Sequence, residues 1–408
     1  MNNKVTTKFK ETEIGLIPEE WEIRKFGDIS NFQYGLGESA KEKGDYVYIR
    51  ITDIAPDGFL KKEGLAFIEK EKVDEEYFLN KGDVLVARTG ASFGKTYFFN
   101  EDFKATYGGF LIRYIFNDKL INNKFFFQYS RSGLYWNQAN NLVGGGAQPQ
   151  FNANVISNML IPCPPLSEQK RIAEILSSMD DKIELNRKIN INLEKFANLI
   201  FKKWFFDDIE NGLPDEWRIG KISDLARVES GFPFQSNTFN ESGIYKLVTI
   251  KNVQDGQFIT ECTDSLSEVP SKVPTHCILK NGDILLSLTG NVGRVCIVHG
   301  DNYLLNQRVA NLIPINENDR AFIYFLFRQR DFQNTLIGIS HGTAQQNLSP
   351  IETKSLEIII PSQDVLDRFA DFAGPIFTML VKNYKEINDL SVARDTLLSK
   401  LMSGKIRI

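Results

Sequence analysis

The chain has 408 residues, 42% of them hydrophobic and 25% charged, and its 48 Lys and Arg against 52 Asp and Glu leave a net charge of −4. These values exclude a wholly disordered chain, a collagen-like fibre and a disulfide miniprotein, and the length suggests two or three domains, each able to bury a core. An acidic balance also argues against strong unaided binding to nucleic acid, since neutralised phosphates supply most of that affinity.

The chain opens on a polar tail, residues 1–13, with no apolar stretch of the kind a secretory signal needs. Apolar runs such as Leu356–Pro361 fall far short of the roughly 20 residues that span a bilayer, so a cytoplasmic protein is expected. Residues 14–163 are rich in Gly, aromatics and short alternating runs. Residues 46–51 (YVYIRI) and 83–87 (DVLVA) predict strands ended by glycine turns, and residues 124–129 (KFFFQY) predict a core helix. Prolines 162, 164 and 165 then punctuate the chain, and Ser167 is placed to cap a helix free of Pro and Gly to about Phe206. Its heptad positions are Ile172, Met179, Asn186, Leu193 and Ile200, an apolar stripe with one polar member, and their mates are Ile175, Leu176, Ile183, Ile189, Phe196 and Ala197, which together make the a/d stripe of a coiled coil. Residues 208–361 repeat the first style, with a strand at 283–287 and a core helix at 321–327, and a second long helix follows over 362–408.

The chain is written twice. IPEEW (17–21) returns as LPDEW (213–217), KGDVLVARTG (81–90) as NGDILLSLTG (281–290), and GGAQPQFN (145–152) loosely as GTAQQNLS (342–349), with offsets between 196 and 200. The heptad stripe returns as Phe369, Ile376, Asn383, Leu390 and Leu397. One amphipathic helix packs on a core by default. Two copies with Asn at the same middle position predict a helix pair, and a direct repeat related by a pseudo-two-fold makes that pair antiparallel. The two asparagines are then expected to meet at a shared midpoint, with Ile172 near Leu397 and Ile200 near Phe369. The fold class is therefore α/β (α+β): two similar mixed domains, 14–163 and 208–361, separated by coiled-coil helices at 164–207 and 362–408.

Motifs for chemistry are weak. Gly90–Thr96 follows a strand but has three residues between its glycines where a phosphate loop needs four, and its copy lacks Lys-Thr, so a tight turn between strands is the better reading. Four cysteines without a C-x-x-C pair and three histidines at scattered spacing give no metal site. No catalytic constellation is visible. What recurs is recognition chemistry. Arg88, Thr89, Ser92 and Lys95 in the first turn are matched by Ser287, Thr289, Asn291 and Arg294, and Gln148, Gln150 and Asn152 by Gln345, Gln346 and Asn347. Arg suits guanine, Asn and Gln suit adenine, and Lys and Ser suit phosphates. Any one of these residues is as well explained as a solvated loop; recurrence in two lobes favours double-stranded DNA.

The stretch Ile161-Pro-Cys-Pro-Pro-Leu-Ser-Glu-Gln-Lys-Arg-Ile-Ala-Glu-Ile-Leu, with the repeated L-P-x-x-W and G-D-[IVL]-L segments, resembles the specificity subunit of type I restriction–modification systems. In the second copy, Ile360-Pro-Ser-Gln-Asp-Val-Leu-Asp-Arg lacks the second proline pair and Glu-Gln. The resemblance implies two target recognition domains, each reading half of a split DNA sequence, with the helices as spacer. It implies no chemistry and no cofactor in this chain. Two methyltransferase subunits would use S-adenosylmethionine on adenine, and restriction subunits would use ATP and Mg. The competing expectation is a coiled-coil assembly scaffold that reads no DNA.

Overall fold

The run Val84–Ala87 is apolar at every position, and a strand of that kind must be buried on both faces. In the computed structural model, which describes residues 8–55, 58–62, 64–143, 151–207, 212–240, 242–342 and 346–408, it lies between two cores. Because side chains alternate along a strand, Val84 and Val86 enter one core with Ile112 and Tyr114, while Leu85 and Ala87 enter another with Leu111 and Tyr107. The chain divides into two compact units, residues 1–181 with 392–408, and residues 182–391.

In the first unit, Val84–Ala87 is an inner strand of an antiparallel sheet ordered Ser30–Tyr34, Leu111–Phe116, Val84–Ala87, Thr96–Phe98. A second sheet pairs Tyr46–Ile49 antiparallel to Ala66–Ile68 and parallel to Ala105–Tyr107. The expected core helix spans Asn123–Tyr129 and buries Phe125, Phe126 and Phe127, with the Asn122 side chain accepting from the Phe125 N–H at its start.

The second unit repeats this plan. Its first sheet runs Ala226–Ser230, Val309–Pro314, Ile284–Ser287, Val295–Ile297. Its second holds Tyr245–Val248 parallel to Tyr303–Leu305, flanked by Ser265–Leu266 and Ile278–Leu279. Ile284 and Leu286 point into one core and Leu285 into the other. The core helix is Arg320–Arg328, buried from Ala321 to Phe327. The duplication read from the sequence is thus a duplication of topology, including the parallel strand pair.

Two helices of 40 residues each, Leu166–Phe205 (the central helix) and Gln363–Met402 (the C-terminal helix), contribute residues to both units. The central helix is already helical at Leu166, where the Glu168 and Gln169 N–H groups donate to the Pro165 carbonyl. Ser167 therefore sits inside the first turn and is not the cap. Pro375 lies within the C-terminal helix on its exposed side. Its ring removes one helical hydrogen bond.

Within each unit the helices run antiparallel. In the first, Ile172, Ala173 and Leu176 share a core with Leu398, Leu401 and Met402, with Leu397 against it, and Asp180 meets Arg394. In the second, Asn186 donates to Glu386 at 2.9 Å and Asn383 donates to Asn190 at 2.8 Å. Further along, Phe201 packs its ring on Phe369 with centroids 5.4 Å apart, while Ile200 is only partly buried. Asn186 and Asn383 are both buried but do not bond each other. Each takes a partner one helical turn away, because Asn190 also faces the seam. The fully buried positions Leu176, Ile183 and Ala197 fall in heptad register with Asn190, leaving Met179 and Leu193 half-buried. On the other helix Ile376, Leu390 and Leu397 are likewise half-buried beside fully buried Ala373, Leu380 and Leu401.

Candidate nucleic-acid interface

In the first unit the hairpin after Val84–Ala87 closes tightly. Ala87 N–H donates to the Lys95 carbonyl and Gly94 N–H to the Ala87 carbonyl, both at 2.8 Å. Gly90 and Gly94 hold φ of 66° and 73°, the left-handed region that glycine enters without strain. The element that follows is a strand, not the helix a phosphate loop would open, so the tight-turn reading holds. Arg88 leaves this hairpin beside two other segments. Its backbone N–H donates to Phe110 O at 3.0 Å, and its carbonyl accepts from Phe151 N–H at 2.9 Å. Its guanidinium lies over the Tyr34 ring at 5.1 Å and reaches Gly109 O at 3.4 Å. The Tyr34 hydroxyl in turn accepts from the Ala153 N–H at 3.1 Å. Thr89 precedes the Gly90–Ser92 turn and Ser92 ends it, both half-buried.

The second unit builds the same junction. Ser287 N–H donates to Arg294 O, and Gly290 and Gly293 take φ of 75° and 81°. Leu288 N–H donates to Arg308 O at 3.1 Å, and Leu288 O accepts from Leu348 N–H at 2.7 Å. Thr289 Oγ1 donates to Asn347 Oδ1 at 3.0 Å, and Gly290 N–H donates to Gln346 O. A cleft of about 400 Å³ lies here between Thr289, Gln307, Arg308 and Asn347. A neighbouring one of about 320 Å³ is lined by Asn291, Arg294 and Gln346, together with Asp255 and Gln333. Arg294 hydrogen-bonds Gln254 at its edge.

Several expected readers occupy other roles. Ser287 is fully buried, its hydroxyl directed to Thr289 O at 3.4 Å, and its first-unit counterpart is Ala87, also fully buried. Strand alternation sends this position inward, so Ser287 leaves the set. Lys95 lines a cavity of about 290 Å³ with Arg131, Ser132, Trp136 and Arg394, apart from the Arg88 group. Asn152 caps the helix Ala153–Ser157 by accepting from Val155 N–H at 3.0 Å. The matching cap in the second unit is Ser349, not Asn347. Gln148, Gln150 and Gln345 lie outside the described residues.

The sequence reading missed Tyr34, Phe110, Gln307 and Arg308. Phe110 is 61% exposed and Tyr34 40% exposed, and Arg308 is exposed. They sit on strand ends and a short loop that no repeated motif marks, so only the fold brings them to the hairpin.

Burial pushes the Cys163 thiol up to about 12 and those of Cys262 and Cys277 to about 11, which keeps all three protonated at neutral pH. Among the described residues no three His, Cys, Asp or Glu side chains gather to hold a metal, and no helix is long and apolar enough to cross a membrane.

Residues 18–195 and 214–372 match the type I restriction modification DNA specificity domain. The specificity subunit of the type I restriction enzyme MjaIX of Methanocaldococcus jannaschii is 27% identical, with 98% of this chain and 97% of that protein aligned. That of EcoKI from Escherichia coli is 22% identical over 96% of this chain and 90% of its own. Among solved structures, the type I restriction–modification S subunit from M. genitalium superposes over 98% of both chains with a TM-score of 0.61 at 17% identity, a likeness of fold.

Proposed function

The chain belongs to the type I restriction–modification DNA specificity family, and from that premise we propose that it reads a split duplex target, one half-site per unit, and performs no chemistry itself. The observation that carries the proposal is the doubled junction. In each unit the inner-strand hairpin, the loop before Leu111 or Val309, and the segment at Phe151 or Leu348 converge through the same backbone hydrogen bonds. The side chains presented there differ, as two different half-sites require. Arg88, Thr89 and Ser92 in the first unit, and Thr289, Asn291, Arg294, Gln307, Arg308, Gln346 and Asn347 in the second, are among the polar groups at the junctions. The Lys95 side chain lines a separate cavity, and Asn152 caps the helix that follows Phe151.

At a net charge of −4 the chain alone should hold DNA weakly. We assign the clamp to two methyltransferase subunits, which would bring S-adenosylmethionine and modify adenine. Cleavage is assigned to restriction subunits that would use ATP and Mg. The long helices are the docking elements for those partners.

The test is an electrophoretic shift with and without the methyltransferase subunits, alongside mapping of methylated adenines in the host with the gene intact and deleted. The expected result is tight binding only in the complex, to two short motifs at fixed spacing whose methylation disappears on deletion. Binding without sequence preference, or an unchanged methylation map, would reject the reading. Within it, Arg88→Ala should relax one half-site and Arg294→Ala the other. Equal weakening on all sequences would make them phosphate contacts.

A further inference from the structure

We propose that the two units read their half-sites with transposed chemistry: in the first the exposed ring of Phe110 seats against the C5-methyl of a thymine, and in the second the guanidinium of Arg308 donates to a guanine. The inference rests on the reading that both junctions face DNA, and adds which side chain makes the base contact and which base it takes.

Three positions correspond by backbone alone. Tyr34 lies opposite Ile112 and Ser230 opposite Ala310 in equivalent strand pairs. Arg88 donates its N–H to Phe110 O where Leu288 donates to Arg308 O. So Tyr34 matches Ser230, Arg88 matches Leu288, and Phe110 matches Arg308. The side chains at the last two positions have exchanged character. In the first unit the cation is on the hairpin and the apolar group on the loop tip. In the second the apolar group is on the hairpin and the cation on the loop tip.

Exposure decides which of each pair can touch a ligand. The Arg88 guanidinium is engaged by its own unit, over the Tyr34 ring and toward Gly109 O, so it serves as a platform. Phe110 stands beyond it, 61% exposed. A single exposed apolar side chain is ordinary. This one is held on a fixed backbone: Gly109 N–H donates to Leu36 O at 2.7 Å, and Leu111 N–H to Gly108 O at 2.8 Å. Gly35 lies so close beneath that a Cβ there would come within 2.4 Å of Gly108 O. In the second unit Leu288 is buried at 3% exposure. Among the described residues the Arg308 side chain has no hydrogen-bond or ion-pair partner, and it borders the cleft with Gln307, Thr289 and Asn347. Against a base edge in the major groove a phenyl ring makes apolar contact, for which the thymine methyl is the partner. A free guanidinium fork fits guanine O6 and N7.

The test uses the full chain assembled with its methyltransferase subunits and a library of duplexes with randomised bases, selected for binding and sequenced. Wild type, Phe110→Ala and Arg308→Ala are compared, with matched thermal unfolding expected because both side chains are exposed. Phe110→Ala should flatten a thymine preference in one half-site only. Arg308→Ala should flatten a guanine preference in the other, by at least about fivefold. A selected duplex carrying deoxyuridine for that thymine should bind wild type more weakly, by about fourfold for one lost methyl, and Phe110→Ala no differently. If the variants keep the wild-type preferences, or if Phe110→Ala relaxes a position that is not thymine, the transposition is wrong while the DNA-reading function stands. If wild type itself selects no motif, the functional reading fails first.

Discussion

In the first unit one buried carboxylate gathers cations: Asp180 on the central helix accepts from Arg131 at 2.7 Å, from Arg394 at 2.9 Å and from the Gln128 amide at 2.7 Å. In the second unit the centre is a cation. Arg328, one repeat after Arg131, contacts Glu194 of the central helix at 3.2 Å and also Asp255, while the Tyr324 hydroxyl donates to Glu194. Both knots tie the end of a core helix to a long helix, and each is more than four-fifths buried at its central group. The duplicated element is the arginine and its place. The partners have diverged, and what survives divergence is only that each buried charge stays paired, since an unpaired one is strongly destabilising.

The largest effect should come from cutting these knots. Asp180→Ala leaves two buried guanidiniums short of their shared carboxylate and should cost about 3–5 kcal/mol. Hydrogen exchange resolved by peptide should speed up in residues 64–143 and spare the second unit's sheets. Arg328→Ala should do the reverse. Exchange that rises equally in both units after either change would mean the knots are not local, and the comparison would fall.

A second contrast is in titration. All three histidines, His276, His299 and His341, lie in the second unit. His299 is buried, stacked on Tyr384 at 5.3 Å and edge-on to Phe258 at 5.5 Å. Burial pulls it down to about 4, against smaller opposing effects of its backbone hydrogen bond and of Asp389. The unfolded imidazole titrates near 6.5, so the unfolded state binds the proton more readily. The contribution is therefore complete above that value and lost as pH falls from about 6.5 toward 4, by roughly 3 kcal/mol. Asp283 and Asp319 of the same unit are shifted upward by burial, which works in the opposite sense at acid pH. The difference between wild type and His299→Phe isolates the histidine. Urea unfolding of the second unit at pH 7 and pH 4.5 should show a steeper loss in wild type, and parallel losses would remove His299 from the account.

The helix seam offers a smaller difference. In the second unit it is polar at Asn186, Asn190, Asn383 and Glu386, while in the first, beyond the Asp180–Arg394 pair, it is apolar around Ile172, Leu176, Leu398 and Leu401. Asn190→Leu should strand the Asn383 amide at a cost of about 1–3 kcal/mol. Adding Asn383→Leu should recover much of it. Additive losses in the double variant would show that the pair does not couple.

How much of this was legible in the sequence depends on the length scale of the signal. The duplication, the inner strands 84–87 and 284–287 and the antiparallel helices all follow from patterns that repeat along the chain. The seam was read in part. Ile172, Asn186 and the mates Leu176, Ile183 and Ala197 are buried as the a/d pattern requires, while Met179 and Leu193 are only half-buried and Asn190, absent from the pattern, is buried, because each helix face must also cover a lobe. The candidate interface was half legible. Arg88 and Thr289 stand in a repeated motif and do sit at the junction. Phe110 and Arg308 reach it through strand order alone, and Ser287 carried a polar letter at a position whose strand parity sends it inward.

The smallest expected effect separates structure from recognition at Asn152. Its side chain accepts from Val155 N–H, as Ser349 accepts from Glu352 N–H at the same point of the second unit. Both residues therefore satisfy an otherwise orphaned helix N–H, and replacing either by Ala should cost about 0.5–2 kcal/mol. Asn and Ser cap comparably well, so Asn152→Ser and Ser349→Asn should each restore stability. A serine cannot present the paired donor and acceptor that an amide offers adenine. If Asn152 acts only as a cap, Asn152→Ser should bind every selected duplex as wild type does, in the assembled complex. If it also reads a base, stability will return and discrimination at one position of the first half-site will not. The reciprocal Ser349→Asn supplies the control, because it adds an amide at the matched point without removing a cap. A new adenine preference in the second half-site there would show that this position faces DNA in both units.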